Sequence, residues 1–143
     1  MPFRHKKVLM VDDDADDQLL FANALQEIDT TMHCEIANNG IEALEKLKIF
    51  IPDVVFLDLN MPMMNGMECL AAMKKNKHLA NIPVIIFTTT NDKVSIATTR
   101  EMGATAFFHK PIEFNRLRQK LLDLFLYNAG DNSHPFTAVS FII

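Results

Sequence analysis

Asp12, Asp13, Asp58, Thr88 and Lys110 each stand where a short apolar run of the chain gives out, and together they supply three carboxylates, a hydroxyl and an ammonium. Carboxylates gathered without a fixed cation repel one another and drive at least one pKa upward, so a hard divalent cation is the natural resolution. Mg²⁺ suits the set best, with Mn²⁺ as its substitute. One or two carboxylates, a backbone carbonyl and several waters meet the octahedral demand of Mg²⁺ and leave a position for a phosphoryl oxygen. The Thr88 hydroxyl and the Lys110 ammonium would hold the remaining oxygens.

For these groups to meet, the runs that deliver them must be neighbouring strands. Lys7-Val8-Leu9-Met10-Val11 ends in Asp12-Asp13-Asp14 and is followed by a helical pattern of Leu19, Leu20, Ala24, Leu25 and Ile28. Met32, Cys34 and Ile36 alternate with His33 and Glu35 as in a half-buried strand, and Asn38-Asn39-Gly40 then turns the chain into a helix carrying Ile41, Leu44 and Leu47. Val54-Val55-Phe56-Leu57 has no polar face, reads as a central strand covered on both sides, and stops at Asp58. A loop with Pro62 and Gly66 leads to a helix bearing Met67, Leu70, Ala71 and Met73. Val84-Ile85-Ile86-Phe87 ends in Thr88-Thr89-Thr90, and the next helix runs to Met102 and closes at Gly103, a left-handed cap. Ala106-Phe107-Phe108 ends in His109-Lys110-Pro111, after which Leu117, Leu121, Leu122 and Phe125 mark the last helix. This alternation predicts an α/β domain over residues 1–127, a doubly wound five-stranded parallel sheet with helices on both faces. In such a sheet the ligand site lies outside the carboxyl ends of the strands, which is where the five polar groups fall.

Composition narrows the function classes. The 143 residues fit one compact domain. A net charge of −4 offers no basic field for a polyanion, so direct nucleic-acid binding is disfavoured and a protein partner is expected. Cys34 and Cys69 make no CxxC pair and read as small core hydrophobes in a reducing compartment. The apolar run after the basic start, Val8 to Val11, is too short for a signal peptide, and no stretch is long enough to span a bilayer, so a cytoplasmic location is expected. The five histidines show no metal-site spacing and read as surface or packing residues, and the nine Met and eleven Phe read as core.

Asp12-Asp13, Asp58 followed by Asn60-Met61-Pro62, Thr88, and Lys110-Pro111 resemble, in order and spacing, the signature of response-regulator receivers of the CheY-like superfamily. The resemblance covers residues 6–127 and implies a flavodoxin-like sheet of order 2-1-3-4-5. It implies that Asp58 accepts a phosphoryl group from a histidine kinase or phosphotransfer protein, and that Asp12 and Asp13 hold Mg²⁺ with the backbone carbonyl of Asn60. Thr88 matches the switch hydroxyl, Lys110 the lysine that contacts the phosphoryl group, and Phe107 the aromatic that moves into space Thr88 vacates. The Lys110–Pro111 bond would be cis. Asn60-Met61-Pro62 and the long loop before Ile82-Pro83 are similar to stand-alone receivers paired with phytochrome-type and hybrid kinases.

Two positions depart from the common pattern. Phe107 lacks the hydroxyl a Tyr would bring, and Thr89 replaces the usual Ala or Gly after the switch threonine, so it is expected to shield Asp58 and slow both phosphoryl entry and hydrolysis. Asp14, Asp16 and Asp17 read as a solvated first turn favoured by the helix dipole, and Thr90 as turn chemistry. Beyond Tyr127, residues 128–143 form a breaker-rich linker, Asn128 to Pro135, and an apolar tail, Phe136 to Ile143. Contact of this tail with a partner, such as a second copy in a homodimer, is favoured slightly over packing on its own domain. A haloacid-dehalogenase-type phosphohydrolase would carry a second Asp where Asn60 stands. A flavodoxin-like cofactor binder would need a phosphate-cradling loop that the Asp12 to Asp14 cluster opposes, and a pseudo-receiver would lack the complete acidic set.

Overall fold

The computed structural model describes residue 3 and residues 5–129 and 135–143. Strands and helices alternate as β1 (Lys7–Val11), α1 (Ala15–Ile28), β2 (His33–Ala37), α2 (Gly40–Lys46), β3 (Val54–Leu57), α3 (Gly66–Lys75), β4 (Val84–Thr88), α4 (Lys93–Glu101), β5 (Ala106–His109) and α5 (Phe114–Tyr127). The strands form one parallel sheet in the order β2-β1-β3-β4-β5. The chain therefore reverses its winding direction between β2 and β3. The carboxyl ends of β1 and β3 flank that switch point, where an open sheet leaves a crevice.

Every residue of β3 and β4 is buried, as unbroken apolar runs require when both faces of a sheet are covered. Alternation along the strands sends their side chains into two cores. Met10, Phe56, Ile85, Phe87 and Phe108 join the core shared with α1 and α5, while Leu9, Val11, Leu57, Ile86 and Phe107 join the core under α2, α3 and α4. The first core is built on aromatic contacts, Phe21 lying 4.9 Å from Phe56 and 5.4 Å from Phe87, and Phe87 5.2 Å from Phe108. Cys69 is buried and Cys34 half-buried, both free, and burial pushes their thiols up to about 11 and about 12 respectively.

Helix α1 departs from the apolar pattern expected of it. Leu19 and Leu20 are exposed, and the buried stripe is Phe21, Ala24 and Leu25 with Ile28 packed beside it, the i, i+3, i+4, i+7 positions of one helical face. Helices α1 to α4 start on side-chain caps: Asp14 accepts from the Asp17 N–H, Asn39 from the Glu42 N–H and Asp92 from the Ser95 N–H, while Asn65 and Glu68 form a reciprocal capping box. Gly103 closes α4 with φ of 96°, the left-handed conformation anticipated for it.

The apolar tail packs on its own domain, against the partner contact that the sequence favoured. Phe136 is buried against Phe125, ring centroids 5.1 Å apart, and the Asn128 side chain both donates to Thr137 O and accepts from Thr137 N, each at 2.8 Å. Further on, Phe107 N donates to Phe141 O at 2.6 Å and Ile143 N donates to Phe107 O at 2.9 Å, so the tail lies along the outer edge of β5. Free backbone groups at a sheet edge are satisfied by the nearest extended segment, and here that segment belongs to the same chain. The middle of the anticipated linker, residues 130–134, lies outside the described residues.

Candidate acidic phosphoryl site

The anticipated polar groups converge at the carboxyl ends of β1, β3, β4 and β5. β1 is held between β2 and β3, Asp12 N donating to Ala37 O at 3.0 Å and Asp58 N to Val11 O at 2.9 Å, and this pairing brings the two aspartates side by side. Carboxylate oxygens of Asp12, Asp13 and Asp58 lie within 4.8 Å of one another, with Asp12 and Asp58 buried and Asp13 exposed. Burial, opposed by hydrogen bonds from Lys110 and the Asp14 backbone, pushes the Asp12 carboxyl up to about 6. Oxygen donors at this spacing, with one carboxylate open to solvent, fit a divalent cation of the Mg²⁺ or Mn²⁺ type.

Lys110 closes the site from β5. Its backbone N–H donates to Thr88 O at 2.8 Å, and its Nζ donates to Asp12 Oδ2 at 2.7 Å, Asp17 Oδ2 at 2.9 Å and Asp58 Oδ2 at 3.0 Å. Burial works against its charge, but the hydrogen bonds to Asp12 and Asp17 and the charges of Asp58 and Asp12 outweigh it, holding the ammonium above its ordinary range. Asp17 was expected to be a solvated first-turn residue; α1 instead turns it inward onto Lys110. Gln18, next in the helix, donates to Asp12 O at 2.6 Å and to Asn38 Oδ1 at 2.8 Å, tying the loops after β1 and β2 together.

Thr88 is fully buried at the end of β4, and its Oγ1 accepts from Thr90 N at 3.3 Å. Thr89 is exposed, and its carbonyl accepts from His109 Nε2 at 3.0 Å. His109 thus has a specific partner that histidine spacing alone did not reveal. The side-chain bond that spans the loops after β3 and β4 belongs to Asn60 and Thr90, and Thr90 was expected to do no more than turn the chain. Asp58 is seated from beneath by Gly66: a Cβ there would lie 2.2 Å from Asp58 O and 2.7 Å from Leu59 Cα, so only glycine admits this approach. Met63, in the same loop, has φ of 66°.

One expectation is corrected. Cis peptide bonds are absent among the described residues, so Lys110–Pro111 is trans. A prolyl amide separates its isomers by only about 0.5–1 kcal/mol, and the open bend from Lys110 to Glu113 at the start of α5 accommodates the trans form. Phe107 already lies in the core, 1% exposed.

A family profile for the response regulator receiver domain matches residues 8–122, the whole span from β1 into α5. The chain belongs to this family. It is 37% identical over 116 residues to the probable transcriptional regulator ycf29 of Pyropia yezoensis, a match covering 78% of this chain and 49% of that protein. The receiver thus spans about half the length of this curated relative. Its fold is similar to that of the phosphorylated cyanobacterial phytochrome response regulator RcpA, with a TM-score of 0.81 at 26% identity, covering 91% of this chain and 100% of that one. It is likewise similar to the bacteriophytochrome response regulator AtBRR, with a TM-score of 0.70 at 31% identity, covering 91% and 99%. The receiver is a signalling domain of two-component systems, in which switching by phosphorylation is general to the family. Among the described residues no helix is long and apolar enough to cross a membrane.

Proposed function

We propose that Asp58 is the phosphoryl acceptor of this receiver and that Asp12, Asp13 and the Asn60 carbonyl hold a Mg²⁺ or Mn²⁺ ion beside it. The observation that carries this reading is that Asp58 stands beside both the Asp12–Asp13 pair and the Lys110 ammonium, 3.0 Å from Nζ. An Asp58 carboxylate oxygen attacks phosphorus in line, its new O–P bond forming as the bond to the donor's leaving group breaks. Lys110 moves from the carboxylates to a phosphoryl oxygen, and the Thr88 hydroxyl donates to another. The bound divalent ion supplies charge neutralisation for the transferred oxygens.

The phosphorylated state then differs from the resting one by an added dianion that Lys110 and Thr88 must accommodate, which is the local event a switch needs. Phe107, buried in this structure, is the aromatic we assign to repack as Thr88 moves toward the phosphoryl group, together with the loops after β3 and β4. Water hydrolyses the acyl phosphate, so the domain resets itself and releases no product other than phosphate. The donor is a histidine kinase or histidine phosphotransfer protein in the cytoplasm, and the acidic chain binds no nucleic acid directly. Exposed Thr89 is assigned a part in limiting access to Asp58.

Incubation with acetyl phosphate and Mg²⁺ followed by intact-mass measurement tests this. One added phosphoryl group that requires the ion and is lost in Asp58→Asn is the expected result. An unmodified mass in the folded protein, or modification that persists in Asp58→Asn, overturns the assignment.

A further inference from the structure

Lys110 has three N–H donors, and the structure spends all three on carboxylates from three different elements: Asp12 after β1, Asp17 in α1 and Asp58 after β3. Two of these acceptors belong to the acidic site. The third, Asp17, does not: it is outside the group of carboxylates close enough to share an ion. Its position is nevertheless defined by the local structure. The Asp14 cap holds its backbone N–H at 3.0 Å, the first turn of α1 favours its negative charge, and its side chain is only partly exposed.

We propose that Asp17 is a positioning residue for Lys110. It draws the ammonium toward α1 and so reduces its hold on the oxygens of Asp12 and Asp58 that a divalent cation must share. This inference rests on the reading of Asp12, Asp13 and Asp58 as a cation site.

The charges show why such a residue matters. Asp12, Asp13 and Asp58 together with Lys110 carry a net charge of −2 when all are ionised. An ammonium seated tightly among them competes directly with an incoming dication for the same lone pairs. A carboxylate outside the trio engages one of the ammonium's donors and so leaves more of the Asp12 and Asp58 oxygens for the ion. Without Asp17, Lys110 would settle deeper, and the ion would have to displace it.

Calorimetric titration of the full chain with Mn²⁺ tests this, using Asp17→Asn, Asp17→Glu, Lys110→Met and the Asp17→Asn/Lys110→Met pair. Asp17→Asn should weaken Mn²⁺ binding roughly three- to ten-fold. Asp17→Glu should restore most of the affinity, since it keeps the charge, and the thermal midpoint of each single Asp17 variant should stay near that of the wild type. In the Lys110→Met background the Asp17→Asn loss should nearly vanish, because the residue through which Asp17 acts is gone.

An unchanged affinity in Asp17→Asn overturns the proposal, as does an equal loss with and without Lys110, which would make Asp17 a ligand or a general field source. Failure of the wild-type chain to bind Mn²⁺ at all would instead overturn the cation-site reading and the inference with it.

Discussion

Asn60 Nδ2 donates to Thr90 Oγ1 at 2.7 Å, a single bond that joins the loop after β3 to the loop after β4. Each partner lies two residues beyond a site residue, Asp58 or Thr88, so the bond spans the approach to both. Breaking it with Asn60→Ala or Thr90→Val removes about 1 kcal/mol of loop restraint, and both acceptor phosphorylation and acyl-phosphate hydrolysis should speed up roughly five-fold. Phosphate lifetimes measured by mobility shift on phosphate-affinity gels check this. If either variant lengthens the lifetime, the bond does not restrict access.

Asp12 gives the protein a defined pH response. Its folded-state pKa of about 6 lies above the ordinary 3.8, so the folded state binds its proton more tightly than the unfolded chain. Its ionised form therefore costs stability above about pH 6, and the cost fades as pH falls from there toward 4. The full shift corresponds to about 3 kcal/mol with the Lys110 contact already included, an upper limit to what substitution can recover. In EDTA, Asp12→Asn should be more stable than wild type by about 1–2 kcal/mol at pH 7.5, with the difference vanishing by about pH 4. Denaturant unfolding at several pH values measures it. A gain that persists at low pH would point away from Asp12 ionisation.

How much of this was legible in the residues depends on how local the cause was. Strand ends could be read because β3 and β4 are apolar on both faces and stop abruptly at Asp58 and Thr88, and the sheet order followed from the receiver resemblance. The inward aim of Asp17 could not be read, since it depends on the rotation of α1, which Phe21 rather than Leu19 or Leu20 sets by entering the core. Histidine 109 looked idle because its partner is a backbone carbonyl, and every residue has one. The trans Lys110–Pro111 bond was beyond reach for a similar reason: the isomers differ by less than the contacts that choose between them.

His109 should matter for the rate of switching. A carbonyl only accepts, so the ring nitrogen facing Thr89 O must carry the proton, and the bond restrains the residue next to Thr88. His109→Ala should change the initial rate of acetyl phosphate labelling by roughly two- to five-fold, and His109→Gln, which can still donate, should recover most of it. Equal rates in all three proteins would make the contact ornamental.

The loop between Asn60 and Gly66 holds two substitutions of opposite sign. Met63 is a side-chain-bearing residue in the left-handed region and is largely exposed, so Met63→Gly should stabilise the fold by about 0.5–1 kcal/mol. Gly66→Ala would press its methyl onto the backbone of Asp58, which cannot yield as a side-chain tip would. It should cost at least about 2 kcal/mol and abolish phosphoryl acceptance. Thermal unfolding of the two variants should bracket the wild type.

Phe136 anchors the tail, packed on Phe125 and against the His5 ring at 5.6 Å. Phe136→Ala should destabilise the domain by about 3–5 kcal/mol, the ordinary cost of emptying a buried aromatic site. A loss below about 1 kcal/mol in chemical denaturation would show that the tail is dispensable to the core.

The two flanks of the sheet are guarded by different means. On the β2 side the guard is polar, with His33 Nε2 2.6 Å from Glu35 Oε2 and Lys46 Nζ 3.5 Å from Glu35 Oε1, groups that an intruding strand would have to strip of water. On the β5 side the guard is the segment 141–143, which takes the N–H and the C=O of Phe107. The socket a visiting strand would need is already filled, so any protein that reads this flank by strand addition must first evict residues 141–143 or read the tail itself.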